Sequence, residues 1–390
     1  MKTTLLNNHN LLKSITSLPL HLFIKSGDNV PIRTESSWEE EKTEILERAN
    51  WLCDKVITEP KKLLKEMPSF LGEEYGGQWA IYSCAMLSAA LLNISRLYPE
   101  ELPQCLNRFE KLVEVTMSPE IRNYDTIAWK KDALETLSGK RGHMTYLSLL
   151  SWTISNYKLA GGTSTAFDEL FQSCCEALNR RTLESKNLCL PSFPNGIVFF
   201  PDMLVTIVAL HHHDLLYGDG YGETVERWLE KAKTEWIHPN TGLLLAELNK
   251  NSVGRAPRGS YSALSTYYLS LTDPDFAHQQ YGKMMQTFAK EDDVAGKTVF
   301  GIKEYLRKSP AMTFDYDAGP IISGFSPSGT AWAIGSATFF EDWETRSRLL
   351  RSGEMAGGTV RRKGKQHYRL SQFALVGEAV VLAMRTNTHP

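Results

Sequence analysis

The sequence lacks the features that mark several classes of protein. No apolar run reaches the roughly 20 residues that a membrane-spanning helix needs. The N-terminus has neither an uninterrupted apolar segment nor a small-residue cleavage site typical of a secretory signal. The six cysteines have no CxxC or zinc-ribbon spacing, which favours buried free thiols in a reducing compartment. We therefore expect a cytoplasmic protein with no membrane partner.

An excess of charge of one sign is also missing. The 43 basic and 45 acidic side chains are mixed along the chain, so the composition gives no electrostatic case for binding nucleic acid. No P-loop, dinucleotide fingerprint or GxSxG elbow occurs in the required context. The run 211–213 of three histidines is not a convincing metal site, because consecutive helical residues point about 100° apart. We expect no metal, no cofactor, and a small-molecule substrate.

What the sequence does contain is a regular alternation of two kinds of helix. The first kind has one apolar stripe among many charges. It covers 38–57, 100–116, 165–181, 222–237, the stretch that follows Asp273-Pro274, and 341–352. The second kind is apolar or small on nearly all sides, as in a buried helix. It covers 77–96, 143–158, 202–217, 259–272, 328–340 and 369–385.

This alternation predicts an all-α fold, the (α/α)6 barrel. Six buried helices form an inner ring, and six amphipathic helices surround them with their apolar stripes turned inward. An open α-solenoid is the alternative, but it needs a fixed repeat length and these pairs are unequal. Strand signals are sparse, and 197–200 is the best of them. We predict an N-terminal extension over 1–36 and a single barrel domain over 37–390.

In such a barrel every inner helix begins at the same end, so the segments before the inner helices meet at one mouth. Helix N-termini there also supply free N–H groups. These segments carry many titratable and aromatic residues, which predicts a pocket. The catalytic candidates are Asp317, Asp202, His143 and Tyr146. The substrate-binding candidates are Arg258, Tyr75, Glu74, Trp79, Tyr124, Asp125, Asp315, Tyr261 and Tyr368.

Structural roles remain open for several of these residues. Asp202 follows a proline and suits a helix cap, as does His143 at a helix start. Arg258 suits an ion pair with an acid of the segment that contains Asp315 and Asp317. Within that segment we take Asp317 as the leading site residue and Asp315 as its structural neighbour. We expect Ser326 or Ser328 to start the helix that follows.

Three motifs then suggest a family. RGS at 258–260, DPDFAxxQY at 273–281 and DxGP at 317–320 resemble the linalool dehydratase/isomerase-like group, with a likeness over about 124–386. The resemblance implies an (α/α)6 barrel and metal-free acid–base chemistry on a tertiary allylic alcohol. It implies that Gly142-His143 matches the family's histidine, and that Tyr75 or Tyr146 stands for its tyrosines. No cysteine of this chain matches the family's cavity cysteines.

The sequence leaves three functions open. The main hypothesis is a cofactor-free lyase or isomerase that acts on a small, largely apolar alcohol through a His–Asp or Asp–Tyr set. The alternative is a glycosidase in which Asp202 and either Asp315 or Asp317 are the acid and base. In that case Trp79, Trp129, Tyr261 and Trp332 would be the stacking platforms. The third possibility is a ligand-binding scaffold without catalysis.

Overall fold

The computed structural model describes residues 32–67, 73–140, 142–218, 220–307, 312–315, 317–372 and 375–389. Most of the predicted N-terminal extension lies outside these residues. The helices are α1 (Trp38–Val56), α2 (Pro60–Lys65), α3 (Glu73–Leu97), α4 (Leu102–Met117), α5 (Pro119–Trp129), α6 (Met144–Leu159), α7 (Asp168–Glu184), α8 (Phe200–Tyr217), α9 (Gly222–Thr234), α10 (Gly259–Ser270), α11 (Pro274–Phe288), α12 (Pro327–Phe339), α13 (Trp343–Gly357) and α14 (Leu375–Arg385).

Six of these helices form a closed inner ring. In order around the ring they are α3, α6, α8, α10, α12 and α14, and α14 packs against α3 to complete it. The helices α1, α4, α7, α9, α11 and α13 lie outside, each packed against the inner ring. The predicted (α/α)6 barrel is therefore confirmed. An open solenoid would leave its first and last inner helices apart.

The two kinds of helix owe their places to their burial patterns. On α1 the buried residues Ile45, Leu52 and Val56 form one stripe, and the other faces carry charges. On α6 every residue from Met144 to Tyr157 is buried, which a helix enclosed by neighbours requires. The inner helix α3 is long and apolar enough to cross a membrane, but 83% of its most apolar window is buried inside the protein. We therefore interpret α3 as a core helix.

Capping residues set several helix starts. Asp273 accepts a hydrogen bond from the backbone N–H of Phe276 at 3.0 Å, and Pro274 occupies the first turn of α11. The side chain of Ser326 accepts from the N–H of Gly329 at 3.1 Å at the start of α12. Of the two serines that the sequence offered for this helix, Ser326 is the cap.

The connections contain strands that the sequence analysis treated as loops. A small sheet joins β1 (Val198–Phe199), β2 (Glu247–Leu248) and β3 (Gly254–Arg255). Three hairpins join β4 (Ala289–Val294) to β5 (Lys297–Ile302), β6 (Met312–Asp315) to β7 (Gly319–Ile322), and β8 (Thr359–Arg362) to β9 (Lys365–Tyr368). The predicted strand over 197–200 corresponds to β1. The hairpin of β6 and β7 leads directly into α12, so it carries its acids to the start of an inner helix.

The helix α5 fills the connection before α6 and was not predicted as a helix. The side chain of Ser118 caps it by accepting from Ile121 N–H at 3.4 Å. The ring of Tyr124 packs so closely on Gly77 of α3 that a β-carbon there would lie 2.7 Å from that of Tyr124. A side chain at position 77 would therefore push α5 away from the inner ring.

Buried ion pairs hold the ends of the barrel together. The guanidinium of Arg346 on α13 donates to both carboxylate oxygens of Glu41 on α1, at 2.8 and 2.9 Å. Arg385 on α14 donates to Glu41 at 2.8 Å and to Glu44 at 2.7 Å. Arg48 on α1 donates to the fully buried Glu378 at 2.7 Å. These contacts join the first outer helix to the last helix pair.

The Glu41 carboxyl makes this junction sensitive to acid. Burial alone would raise its pKa, but the hydrogen bonds and charges of Arg346 and Arg385 outweigh burial and lower it from 4.5 to about 2. Because this pKa is lowered, ionised Glu41 stabilises the fold above pH 4.5. This stabilisation is lost as the pH falls towards 2. We expect Glu41 to contribute about 3 kcal/mol to this loss. Urea denaturation from pH 6 to pH 2.5 measures this loss of unfolding free energy. The free energy of unfolding of Glu41→Gln should depend less steeply on pH than that of the parent. An equally steep dependence would contradict the role of Glu41.

Candidate active site at the barrel mouth

Asp202 lies at the centre of the predicted mouth. Its carboxylate accepts hydrogen bonds from the Tyr82 hydroxyl at 2.8 Å and from the Thr145 hydroxyl at 3.1 Å. Tyr82 belongs to α3, which is separated from α8 by α6 in the inner ring, so the Tyr82–Asp202 bond crosses the lumen. Asp202 stands in the first turn of α8, where Phe199 and not Asp202 is the capping residue. Asp202 therefore makes hydrogen bonds to other helices, which a residue that only caps its own helix does not make.

The protein around Asp202 shifts the pKa of its carboxyl group. Burial raises the pKa of its carboxyl, and the hydrogen bonds from Tyr82, Ser192 and Thr145 oppose that rise. Burial likewise raises the pKa of Tyr82 and Tyr261 well above the ordinary tyrosine value, and the neighbouring Asp202 adds to both shifts. Both phenols are therefore neutral hydrogen-bond donors, Tyr82 to Asp202 and Tyr261 to Asp317.

Asp317 lies in the turn between β6 and β7. The hydroxyl of Tyr261 on α10 donates to its carboxylate at 3.0 Å. Desolvation by the surrounding protein raises the pKa of Asp317 to about 6, and the negative charges of Asp315 and Asp202 add to the rise. The residue nevertheless keeps an exposed surface, so its carboxyl group is crowded by protein but reachable from solvent. A carboxyl group of this kind suits general acid catalysis near neutral pH.

Arg258 holds the turn that carries Asp317. Its guanidinium pairs with Asp315 at 2.9 Å and with the fully buried Glu304 at 2.7 Å. One oxygen of Asp315 also accepts the backbone N–H groups of residues 317 and 318, both at 2.9 Å. Arg258 therefore has the structural ion-pair role that the sequence left open, with Asp315 as its partner in the turn. Glu304, which no sequence motif suggested, anchors this chain of contacts.

Removing the charge of Asp315 should lower the pKa of Asp317. An asparagine keeps the oxygen that accepts the backbone N–H groups but loses the like charge and releases Arg258 towards Asp317. We expect the pKa of Asp317 to fall from about 6 towards the ordinary aspartate value. Carbon-13 NMR titration of the carboxyl groups in Asp315→Asn measures this shift. Asp293→Asn, at the exposed end of another hairpin, is the control, and an unchanged pKa in Asp315→Asn would refute the coupling.

Asp125 and His143 form a second buried pair. His143 Nδ1 lies 2.5 Å from the Asp125 carboxylate, and both residues are almost inaccessible to solvent. His143 precedes α6 with a left-handed backbone (φ 49°), and its side chain makes no capping hydrogen bond. Its Nε2 has no hydrogen-bond partner among the described residues. The sequence named both residues as candidates but did not predict that they pair, and the geometry gives the His143 side chain no capping role.

Outer-helix Arg181 supports the segment before His143. Its guanidinium donates to the carbonyl groups of Thr136 at 2.6 Å, Gly139 at 3.1 Å and Gly142 at 2.8 Å. These bonds satisfy carbonyl groups of an irregular connection that has few backbone partners. No sequence pattern indicated this role, because Arg181 lies in an ordinary amphipathic helix.

Other predicted residues occupy different surroundings. Tyr146 donates to the Thr116 carbonyl on the outer helix α4 at 3.2 Å, so its hydroxyl is directed away from Asp202. Tyr368 stacks on Arg48, whose guanidinium lies 4.2 Å from the ring centroid, as part of the junction between the chain ends. The Glu74 side chain lies outside the described residues. Tyr75 and Trp79 are partly exposed on α3 and are spaced with Tyr82 along one helical face.

Aromatic rings from several inner helices fill the lumen below the mouth. Trp152 of α6 meets Tyr268 of α10 edge to face at 5.4 Å between ring centroids, although α8 separates these two helices in the ring. Tyr267 contacts Trp332 of α12 at 6.1 Å. Tyr82 and Tyr268 were missed by the sequence analysis because they lie inside inner helices, although the helical spacing of Tyr82 from Tyr75 was a signal for the first of them.

A concave surface also lies away from the predicted mouth. An open depression between α7 and α9 is lined by residues that include Asn187, Glu226 and Arg227. Its Glu226 and Arg227 side chains are exposed, so their environment resembles ordinary surface. We place the candidate site at the mouth because buried acids, phenols and a histidine converge there.

Comparison with known proteins supports the architecture. No protein-family model matches the chain, and no curated protein matches its sequence. Among solved structures, a glycoside hydrolase of family 105 from C. acetobutylicum ATCC 824 is similar, with a TM-score of 0.51 and 10% sequence identity. The alignment covers 78% of this chain and 92% of that chain. A likeness at this identity shows a shared toroidal helical fold and no more.

Proposed function

We propose that this protein hydrolyses a glycosidic bond in a neutral carbohydrate, with Asp317 as the general acid and Asp202 as the base. The observation that carries the proposal is the presence of two carboxyl groups with raised pKa at one aromatic mouth. Protonated Asp317 donates its proton to the glycosidic oxygen as the bond from that oxygen to the anomeric carbon breaks. Water adds to the anomeric carbon and gives a proton to the Asp202 carboxylate.

The roles of the two acids follow from their surroundings. Burial raises the pKa of Asp202, and its hydrogen bonds from Tyr82 and Thr145 oppose that rise and hold the carboxylate in a fixed orientation, which suits a base that takes up a proton. Desolvation, and after it the charges of Asp315 and Asp202, favour the protonated form of Asp317, which suits an acid. Their different environments therefore divide the acid and base roles between two residues of one type.

The charge at the mouth favours a neutral substrate. The charged groups that act on Asp317 are Asp315, Asp202 and Arg258, and Arg258 is already paired with Asp315 and Glu304. A substrate carboxylate would therefore meet acids and no unpaired guanidinium from Arg258. The partly exposed rings of Tyr75 and Trp79 give flat apolar surfaces on which a sugar ring can stack.

The glycoside hydrolase of similar fold supports this proposal, because the same barrel holds such chemistry in that protein. A second candidate is the cofactor-free lyase or isomerase, in keeping with the resemblance to the linalool dehydratase/isomerase-like group. The buried Asp125–His143 pair favours it, since a histidine oriented by a carboxylate is a suitable base for removing a proton during dehydration. The two candidates depend on different residues, Asp317 in the hydrolase and His143 in the lyase, which makes them separable.

The test is a substrate panel with matched variants. Neutral oligosaccharides and p-nitrophenyl glycosides are incubated with the parent protein, Asp317→Asn and His143→Gln, and new reducing ends are measured by mass spectrometry. Linalool is incubated in parallel, and its dehydration product is measured by gas chromatography. We expect glycoside cleavage that Asp317→Asn abolishes. Turnover of linalool alone, lost in His143→Gln, would replace the hydrolase by the lyase.

A further inference from the structure

The segment that follows β5 carries two exposed apolar side chains. Tyr305 is 37% exposed, and its neighbour Leu306 is 44% exposed. Among the described residues, Tyr217 is the one other exposed residue of the phenylalanine, tyrosine and tryptophan types. Two adjacent apolar side chains in water form a small patch, and such a patch beside a candidate site suits the binding of a ligand.

The backbone that carries Tyr305 is held in place by the preceding residue. The fully buried Glu304 carboxylate accepts hydrogen bonds from Arg258 at 2.7 Å and from the Ser260 hydroxyl at 2.9 Å. The backbone N–H of Glu304 donates to the Gly324 carbonyl at 2.9 Å. These bonds join residue 304 to the start of α10 and to the segment before α12. The tyrosine ring is therefore presented from a fixed backbone, which reduces the entropy that binding would cost.

Arg258 connects Tyr305 to the turn that contains Asp317. Its guanidinium carbon lies 5.7 Å from the centre of the Tyr305 ring and 4.7 Å from the centre of the Tyr261 ring. The same guanidinium pairs with Asp315 at 2.9 Å, and the Tyr261 hydroxyl donates to Asp317 at 3.0 Å. Tyr305 and Asp317 therefore lie around one arginine, in the same part of the mouth.

The two candidate acids lie at different depths. Asp202 is 5% exposed and bonds to Tyr82 across the lumen, whereas Asp317 and Tyr305 are both exposed. A glycoside bound between the acids would place one sugar towards Asp202 and the other towards the outer rim. A general acid gives its proton to the oxygen of the leaving sugar. The leaving sugar therefore lies on the side of Asp317, where the patch of Tyr305 and Leu306 is exposed.

We propose that Tyr305 and Leu306 form the subsite for the leaving sugar of the substrate. The tyrosine ring stacks on the apolar face of that sugar, and Leu306 extends the apolar surface. This subsite rests on the proposed function, in which Asp317 protonates the oxygen between two sugars. It makes the substrate an oligosaccharide, since a glycoside with a small leaving group would leave the tyrosine ring in water.

The experiment compares substrates whose leaving groups differ in size. The parent protein, Tyr305→Ala and Tyr305→Phe are assayed with cellobiose, maltose, lactose and mannobiose, and with the α- and β-fluorides of glucose, galactose and mannose. A fluoride leaving group is a single atom and leaves the subsite empty. We expect Tyr305→Ala to raise KM about 10-fold for the disaccharide that is cleaved and to leave KM for the fluorides unchanged. Tyr305→Phe keeps the ring and should behave as the parent does.

Tyr217→Ala is the matched control. Tyr217 is 42% exposed, and it ends the helix whose first turn contains Asp202, so it lies at the opposite end of the barrel. Its removal should leave KM unchanged for both classes of substrate. The melting temperatures of the three variants show whether each protein is folded at the assay temperature, so that a change in KM is not confused with unfolding.

The outcomes distinguish the subsite from the proposed hydrolase. An unchanged KM in Tyr305→Ala, or an equal rise for disaccharides and fluorides, overturns the subsite and leaves the hydrolase in place. If the parent cleaves none of these substrates, the hydrolase fails, and the disaccharides are then titrated by calorimetry into the parent and Tyr305→Ala. Binding that Tyr305→Ala weakens would retain a sugar-binding role for this patch. Equal binding, or no binding, overturns that role as well.

Discussion

Asparagine at position 317 is expected to lower kcat for the cleaved glycoside by about 10²- to 10⁴-fold, the usual contribution of a general acid. The amide cannot give a proton to the glycosidic oxygen, but it can still accept the hydrogen bond from Tyr261 that spans 3.0 Å. The hairpin of β6 and β7 should therefore keep its place, and KM should change little. Steady-state kinetics on the panel substrate measures both constants.

The pH profile gives this prediction a second readout. The acid must be protonated, so the parent activity should fall as the pH rises through about 6, the raised pKa of Asp317. This limb should disappear in Asp317→Asn, whose residual rate should not fall above that pH. Asp293→Asn, on the exposed hairpin of β4 and β5, should behave as the parent does. Full activity in Asp317→Asn would remove this residue from the mechanism.

Replacing Arg48 by methionine is expected to lower the free energy of unfolding by about 3–5 kcal/mol, as for other broken buried ion pairs. The substitution leaves the fully buried Glu378 without its cationic partner at 2.7 Å. It also removes the stacking of Arg48 on Tyr368 and its hydrogen bond to Thr359 at 2.6 Å. Urea denaturation followed by circular dichroism measures the change.

Two further variants test the cause of this loss. Arg227→Met breaks a pair with Glu223 whose side chains are 52% and 81% exposed, and it should cost less than about 1 kcal/mol. Arg48→Met combined with Glu378→Leu removes both buried charges and should recover much of the stability. If the double variant is as unstable as Arg48→Met, lost packing and not the stranded charge of Glu378 is the cause.

The helical architecture was predictable because the pattern of apolar residues in each helix shows which of its faces are buried. An inner helix such as α6 must be apolar on all sides, and an outer helix such as α1 needs one stripe. The hairpins were not predictable in this way. The strand β4 reads AKEDDV, and its side chains are mostly exposed, so no alternation of apolar and polar residues marks it. Its pairing with β5 depends on tertiary contacts.

The site was predictable where it precedes inner helices. That rule named Asp202, Asp317 and His143 as residues of one mouth, whereas Asp125 was named from the connection before α6 and its pairing with His143 was not predicted. Glu304 follows the unpredicted strand β5, so the rule did not include it. Tyr146 satisfied the rule but begins a helix whose sides face different neighbours, and its hydroxyl binds an outer helix. The position of a residue along the sequence determines at which end of the barrel it lies. Its position around the helix axis determines which neighbour its side chain contacts.

The contact between the first and last inner helices also governs when the fold is complete. Arg48 on the outer helix α1 and Glu378 on the inner helix α14 are separated by 330 residues, so a growing chain must add those residues before the two side chains can pair. Translation at about 5–20 residues per second delays it by about 15–70 s. During that interval the face of α3 that α14 covers lacks its native partner. The ring therefore cannot close before residues 375–385 have been synthesised, and until then an apolar helix surface is exposed to aggregation.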